Sequence, residues 1–459
     1  MTGREFKGLL LAMLPSEVVR EAAGRLKVQQ RTRVLDVVAL VWALVLAGGT
    51  EECGRLASAM RAYVKETGRS TLSRSAFYQW FDAELLALMR ELKDQGLQYI
   101  EAQPRHLPGI LSGRLDWRAV DSTVIKLPNE LVGHYPGTGD YASLKVHKTY
   151  SLGAENVVGY HITAGRDHDG PQLVVDETWR GMGLLVDLGY ASFKLLRQCQ
   201  AHDVQIVIKL KADWNVWLDE TVSSCEMARW LGGSDLVDDA SCDDFIPEPD
   251  KPLDIDVVLG PATDPIHLRL VGTPGKAKGD GLLFLTNLPR QTHNHDDVAM
   301  LYRLRWNIEL DNKLGKSACR LDQITAKTPV SAEILVHAAM MASMLANAFA
   351  HSDHLKRGFV GTKTPRLKEG PVHPMLVAKS IAASAHHLGS MLAHDDGTEA
   401  QWDRMASAIR WTSLDPNWRR TPSAIDIVKR RVAPGWKRRK RPKPRRAKTR
   451  TAAASNGLK

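Results

Sequence analysis

At 459 residues, 44% of them hydrophobic, the chain is long enough to bury a large core and to form about three folded regions. The chain is +10 overall, yet 11 Lys and Arg and no acid follow Trp436, so residues 1–436 sum to −1 and the basic character sits in a tail. Five scattered cysteines (Cys53, Cys199, Cys225, Cys242, Cys319) form no CxxC pair, which argues for a reducing compartment and against structural zinc. Met1 to Leu14 lacks a charged-apolar-cleavage layout, so no signal peptide is expected.

Residues 1–110 read as helical. Asp36 precedes the apolar run Val37 to Ala47, which Gly48-Gly49 closes, as in a buried helix with an N-cap and C-terminal glycines. That run is far short of the ~20 residues needed to cross a bilayer. Ser73-Arg74-Ser75-Ala76-Phe77-Tyr78-Gln79-Trp80-Phe81 opens another helix. Basic, aromatic and hydroxyl residues at its start suit phosphate contact, and a core helix fits them equally well.

From Trp117 to Leu127 β-branched residues dominate, with Asp121 among them and turn formers at Pro128-Asn129. Two further strands, Leu144 to Leu152 and Val157 to Ala164, joined by a turn at Gly153-Ala154-Glu155-Asn156, complete a meander. Gly183-Leu184-Leu185-Val186-Asp187-Leu188-Gly189-Tyr190 is a short strand ending in an acid, followed by a helix from Phe193 to Gln200 and a strand from Val204 to Leu210. This alternation argues for parallel strands with crossover helices. An acid at the C-terminal end of such a strand is where open α/β sheets place ligand chemistry. Taken singly, each aspartate reads as the cap of a turn or of the next helix. If Asp121 and Asp187 lie on adjacent parallel strands, their carboxylates can share a metal. Residues 212–282, rich in Asp, Gly and Pro with strands near Ile255–Leu259 and Ile266–Val271, read as a compact β-rich insertion, with a disordered linker as the alternative.

Between Tyr302 and Lys316 the chain reads YRLRWNIELDNKLGK. On one continuous helix, at roughly 100° per residue, Tyr302, Arg305, Glu309 and Lys316 fall within about 60° of one another. A Glu can hold a divalent metal, and Arg, Lys and Tyr donate to phosphate oxygens. A solvated face with an Arg305–Glu309 pair is the plainer alternative. Two strand acids followed by this helical Glu shift the balance toward a three-carboxylate metal site. Helical patterns return at Val330–Ala350, Pro374–Ala393 and Gln401–Trp411. Lys437 to Arg450 holds 10 Lys and Arg and no large apolar residue, so it is expected to stay disordered and to bind polyanions.

On Tyr302, Arg305, Glu309 and Lys316 the chain resembles DDE transposases of the insertion sequence 4 family, whose Tyr-x2-Arg-x3-Glu-x6-Lys signature it matches without a gap. Val120-Asp121-Ser122-Thr123, Leu144-Lys145-Val146-His147, Asp187-Leu188-Gly189-Tyr190 and Thr286-Asn287-Leu288-Pro289 fall in family order over about residues 115 to 345. The resemblance implies an α/β fold: a ribonuclease-H-like catalytic core (111–345) interrupted by the β-rich insertion. It would be flanked by an N-terminal helical DNA-binding region (1–110), a C-terminal helical region (346–436) and the basic tail (437–459). It implies that Asp121, Asp187 and Glu309 hold two Mg²⁺, or Mn²⁺, and that Tyr302, Arg305, Lys316 and Lys209 grip DNA phosphates. The partners implied are double-stranded transposon ends and target DNA. A homodimer in the synaptic complex, a bacterial cytoplasmic, nucleoid-associated location and no membrane are also expected.

Three departures stand out. Leu188 follows the second Asp where Arg is common, Lys209 stands where Arg is frequent, and Leu282-Leu283-Phe284 lacks the Trp that hairpin-forming members use. Trp214 or Trp217 is the candidate substitute. A catalytically idle DNA-binding descendant and a stand-alone ribonuclease-H-like nuclease are the alternatives. His161, His168, His293 and His295 read as ordinary, whereas His147, within a family-like motif, is placed near the site.

Overall fold

The computed structural model describes residues 1–28, 35–47, 56–69, 71–211, 214, 216–218, 253–261, 263–274, 281–356, 370–394, 396–417 and 428. The tail from 437 onward, Gly48-Gly49 and residues 219–252 lie outside the described residues.

β-branched runs, which favour extended backbone, form the described strands β1 (Trp117–Lys126), β2 (Ser143–Ser151), β3 (Asn156–Ala164), β4 (Gly183–Val186), β5 (Gln205–Lys209), β6 (Trp217–Leu218), β7 (Leu253–Leu259), β8 (Ile266–Pro274) and β9 (Gly281–Thr286). They join in one mixed sheet of order β3-β2-β1-β4-β5-β9-β8-β7-β6. β1, β2 and β3 form the antiparallel meander, and Glu155 takes the left-handed φ of 50° in its turn. β4 pairs parallel with β1 (Val120↔Val186) and with β5 (Val186↔Ile208), the crossover being α7 (Phe193–Ala201). The described part of the segment expected as a compact β-rich insertion is made of strands. Its strands β6 to β8 continue the sheet through β9, which pairs antiparallel with β5. An unpaired β5 edge would leave a row of exposed backbone donors and acceptors, and β9 covers it.

The helices are α1 (Gly3–Met13), α2 (Ser16–Arg25), α3 (Val37–Ala47), α4 (Leu56–Thr67), α5 (Arg74–Tyr78) and α6 (Ala83–Glu101) before the sheet. After it come α8 (His295–Leu304), α9 (Trp306–Ser317), α10 (Pro329–Lys356), α11 (Pro374–Ala383), α12 (Ala385–Ala393) and α13 (Glu399–Thr412). Every residue of α3 is buried, and Asp36 Oδ1 caps it through the amides of Val38 and Ala39, both at 3.1 Å. The helix expected from Ser73 is a single short turn, α5. The N- and C-terminal helices share one core: α1 packs on α13, α6 on α10, and α3 on α10 and α12. By length and composition α10 could cross a membrane, but 78% of its most apolar window is buried inside the fold, and it runs on past residue 345.

Two expected helices are broken. The 374–393 pattern splits at Ser384, whose amide turns to Ser380 and Ile381. The signature stretch splits at Arg305 into α8 and α9. There the Arg305 amide bonds Tyr302 O at 3.1 Å and the Ile308 amide bonds Arg305 O at 3.1 Å, both tight i→i+3 contacts. Asn307 Nδ2 inserts on Leu304 O at 2.7 Å, and a side chain entering the helical ladder is an established cause of a kink.

Side chains alternate across a strand, so the sheet has two unlike faces. Ala119, Leu185 and Val207 join the large helical core, with α8 on β4, β5 and β8 and α9 on β1 and β2. Val120, Leu184, Val186, Ile206 and Ile208 face the other way, onto α7.

Candidate catalytic site

Asp121 and Asp187 reach the same face from neighbouring strands. The parallel register pairs Val120 with Val186, so the residues that follow, Asp121 and Asp187, stand side by side at the point where β4 ends. Lys209 occupies the matching position on β5, one past Ile208. The α8–α9 unit lies over this edge and presents the signature residues to it.

Each carboxylate is held by a donor. Tyr302 OH donates to Asp187 Oδ1 at 3.4 Å, Asn312 Nδ2 donates to Asp121 Oδ2 at 3.0 Å, and Arg305 Nη2 pairs with Glu309. The Tyr302 ring is flanked by two cations, with Arg305 Cζ at 5.5 Å and Lys209 Nζ at 5.6 Å from its centroid. The stripe expected on one helix therefore persists across the break, carried by side-chain contacts. Glu309 lies three residues before Asn312, hence on the same helical face, which brings it toward Asp121. Lys316, in the last turn of α9, is half-buried and feels both Asp121 and Lys148.

The charges are mutually felt. Burial, with Glu309 and Asp187 adding like charge, pushes the Asp121 carboxyl up to about 6, against the Ser122 amide and Arg305, which favour its ionised form. Burial chiefly pushes the Tyr302 phenol up to about 12, so it stays a neutral donor. Burial also lowers the Lys316 ammonium, with Lys148 adding to the effect. Arg305 is desolvated, yet Tyr302, Asp187 and Glu309 outweigh that and hold it firmly charged.

Among the described residues no three His, Cys, Asp or Glu side chains stand close enough to hold an ion as they are. Glu309 pairs with Arg305 one turn away. The donor set nonetheless fits a hard divalent cation: all oxygen, three carboxylates within one another's field, and an Asp121 whose charge is under-compensated.

His147 lies elsewhere than expected. It is opposite Ser122 in the β1–β2 ladder, so it points to the face away from Asp121. There it stacks on His161 at 4.8 Å, bonds Thr163 Oγ1 at 2.9 Å and lies 3.7 Å from Asp169. Burial and His161 lower it to about 4. Trp214 is buried against Phe193 at 4.9 Å, away from the carboxylates. Sequence reasoning missed Asn312, Asp311 and Lys148. Asn312 had a signal, its i+3 spacing from Glu309, but nothing in the sequence joins Lys148 to Asp311 across the chain.

The transposase DDE domain matches residues 113–345, a little over half of the chain and nearly the span of the landmarks. The chain belongs to the DDE transposase family. It is 42% identical over 64 residues to the transposase for insertion sequence element IS421 of Escherichia coli, and to the InsL protein of element IS186A of Escherichia coli K12. Each match spans 14% of this chain and 17% of the relative. A solved piggyBac transposase synaptic complex with hairpin DNA is a distant likeness, 11% identical with a TM-score of 0.47 over 88% of this chain and 85% of that one.

Proposed function

We propose that this member of the DDE transposase family cleaves transposon ends and joins the freed 3′-hydroxyl to target DNA, with Asp121, Asp187 and Glu309 holding the divalent ions. The observation that carries the reading is the side-by-side placement of Asp121 and Asp187 on parallel strands, beneath a helix whose Asn312 bonds Asp121. The ungapped Tyr302, Arg305, Glu309 and Lys316 spacing supports the insertion sequence 4 assignment. The antiparallel meander followed by two parallel strands supports a ribonuclease-H-like core.

Two Mg²⁺, or Mn²⁺, would activate the attacking hydroxyl and neutralise charge on the leaving oxygen. The chain's own residues do the rest. Tyr302 donates to Asp187 and keeps that carboxylate oriented. Arg305 pairs with Glu309, and its fork would suit two phosphate oxygens were that acid to hold a divalent ion. Lys316 and Lys209 supply point charges for flanking phosphates. Double-stranded ends and target are the substrates, a homodimer brings two ends together, and residues 1–110 and 437–459 add DNA contacts in the bacterial cytoplasm.

The test is a gel-resolved assay on the element's own ends in Mg²⁺, with a pre-cut donor in parallel. Joining of the donor to plasmid is expected. Degradation without joining would make the chain a nuclease, and binding without cleavage would make it an idle descendant.

A further inference from the structure

α9 meets the sheet through two polar contacts made by consecutive residues. Asn312 bonds Asp121, and Asp311 Oδ2 accepts from Lys148 Nζ at 2.9 Å. Lys148 stands directly across from Asp121 in the β1–β2 ladder, so both side chains rise from one patch of sheet. The Lys148 and Asp311 side chains are 0% and 1% exposed. The second oxygen of Asp311 accepts from Asn347 Nδ2 at 2.7 Å and Ser343 Oγ at 3.3 Å, both on α10. At Gly315, one turn along α9, an added Cβ would lie 3.7 Å from Lys148 Nζ, so the helix passes directly over the lysine.

An ion pair this deeply buried is a weak device for stability, because the desolvation of both charges offsets their attraction. What it does impose is direction: its hydrogen bonds are met at one rotation and one height of α9, whereas an apolar contact would accept several. Glu309 and Asn312 sit within one turn of Asp311, so a small roll of the helix carries both away from Asp121.

We propose that Lys148 and Asp311 are positioning residues, a buried ion pair that sets α9 so that Glu309 and Asn312 address Asp121. This rests on the reading of Asp121, Asp187 and Glu309 as the ion-holding acids. The decisive variant is Lys148→Met combined with Asp311→Leu, which exchanges the pair for an apolar contact of similar volume, compared with the parent and with Asp121→Ala. Mn²⁺ binding is measured by calorimetry without DNA, alongside metal-free melting and gel-shift binding of an end. The expected result is melting within a few degrees of the parent, unchanged end binding, and about tenfold weaker Mn²⁺ binding with a matching rise in the Mg²⁺ needed for cleavage. A merely structural pair would leave Mn²⁺ affinity at the parental value once the fold is intact. Parental Mn²⁺ binding and cleavage in the double variant, with both lost in Asp121→Ala, would overturn the positioning role alone. Binding and cleavage retained in Asp121→Ala would overturn the acid reading and the positioning role with it. Should the double variant melt early, Asn347→Ala, which removes one bond from Asp311 and keeps the pair, is expected to weaken Mn²⁺ severalfold; parental affinity there also overturns the proposal.

Discussion

Asp121 carries an unfavourable charge in the metal-free protein. Its carboxyl is raised from 3.8 to about 6, first by burial and then by Glu309 and Asp187. Because the folded state holds this proton more tightly than the unfolded chain, the resulting stability is complete below about pH 4 and is lost as pH rises through about 6. Partial exposure discounts the magnitude to about 2 kcal/mol. Asp121→Asn, which cannot ionise, is therefore expected to melt above the metal-free parent at about pH 7.5 and close to it at about pH 4, while cleaving nothing. Scanning calorimetry at both pH values checks this, and a gap that fails to widen with pH would mean that the Asp121 charge is compensated. Asp187→Ala removes the acceptor for Tyr302. It should abolish cleavage in Mg²⁺ and spare end binding, and measurable strand transfer by that variant would take Asp187 out of the site. Lys316→Ala should weaken end binding by about 1–3 kcal/mol, the worth of a hydrogen bond to a charged group. A gel-shift titration reads that directly, with unchanged affinity returning the lysine to a solvated face.

At the scale of elements, the alignment of the two aspartates depends on how closely β4 approaches β1. Gly183 opens β4 directly opposite Trp117, and a Cβ there would fall 2.3 Å from the buried indole. Gly183→Ala is expected to cost about 1–3 kcal/mol of unfolding free energy, as overpacking does. Cleavage should fall too, because Asp187 directly follows that strand; a urea midpoint equal to the parent's would show that the indole moves aside freely. This clash also marks what the sequence could and could not reveal. The meander, the parallel pair and α3 were legible because periodicity, β-branching and an N-cap are local signals. The break at Arg305 was not, since it comes from the Asn307 side chain competing for Leu304 O, which helical spacing cannot show. The continuation of the sheet through β9 was equally hidden, because strand order is a matter of distant pairing. The same limit explains the site: Asp121, Asp187 and Glu309 were readable as acids in telling places, whereas the Lys148–Asp311 pair spans separate elements and has no local trace.

For the molecule as a whole, charge is segregated. Residues 1–436 sum to −1 while 11 cations follow Trp436, so the folded body has no net field to gather DNA. On the proposed reading, affinity for polyanion would then come from local cationic groups, such as Arg305, Lys316 and Lys209, and from the tail. Each phosphate neutralised adds about 0.9 to the slope of log affinity against log salt. If about half of the tail cations touch phosphate, deleting residues 437–459 should flatten that slope by about five units and weaken binding most at low salt. On the proposed reading the residues that would set the scissile phosphate in register, Tyr302, Arg305, Lys316 and Lys209, lie on or between α8, α9 and β5, so cleavage of ends already saturated with protein should proceed at the parental rate. Filter binding across a salt series separates the two effects. A slope unaltered by the deletion would assign the electrostatic grip to the folded body, despite its near-zero net charge.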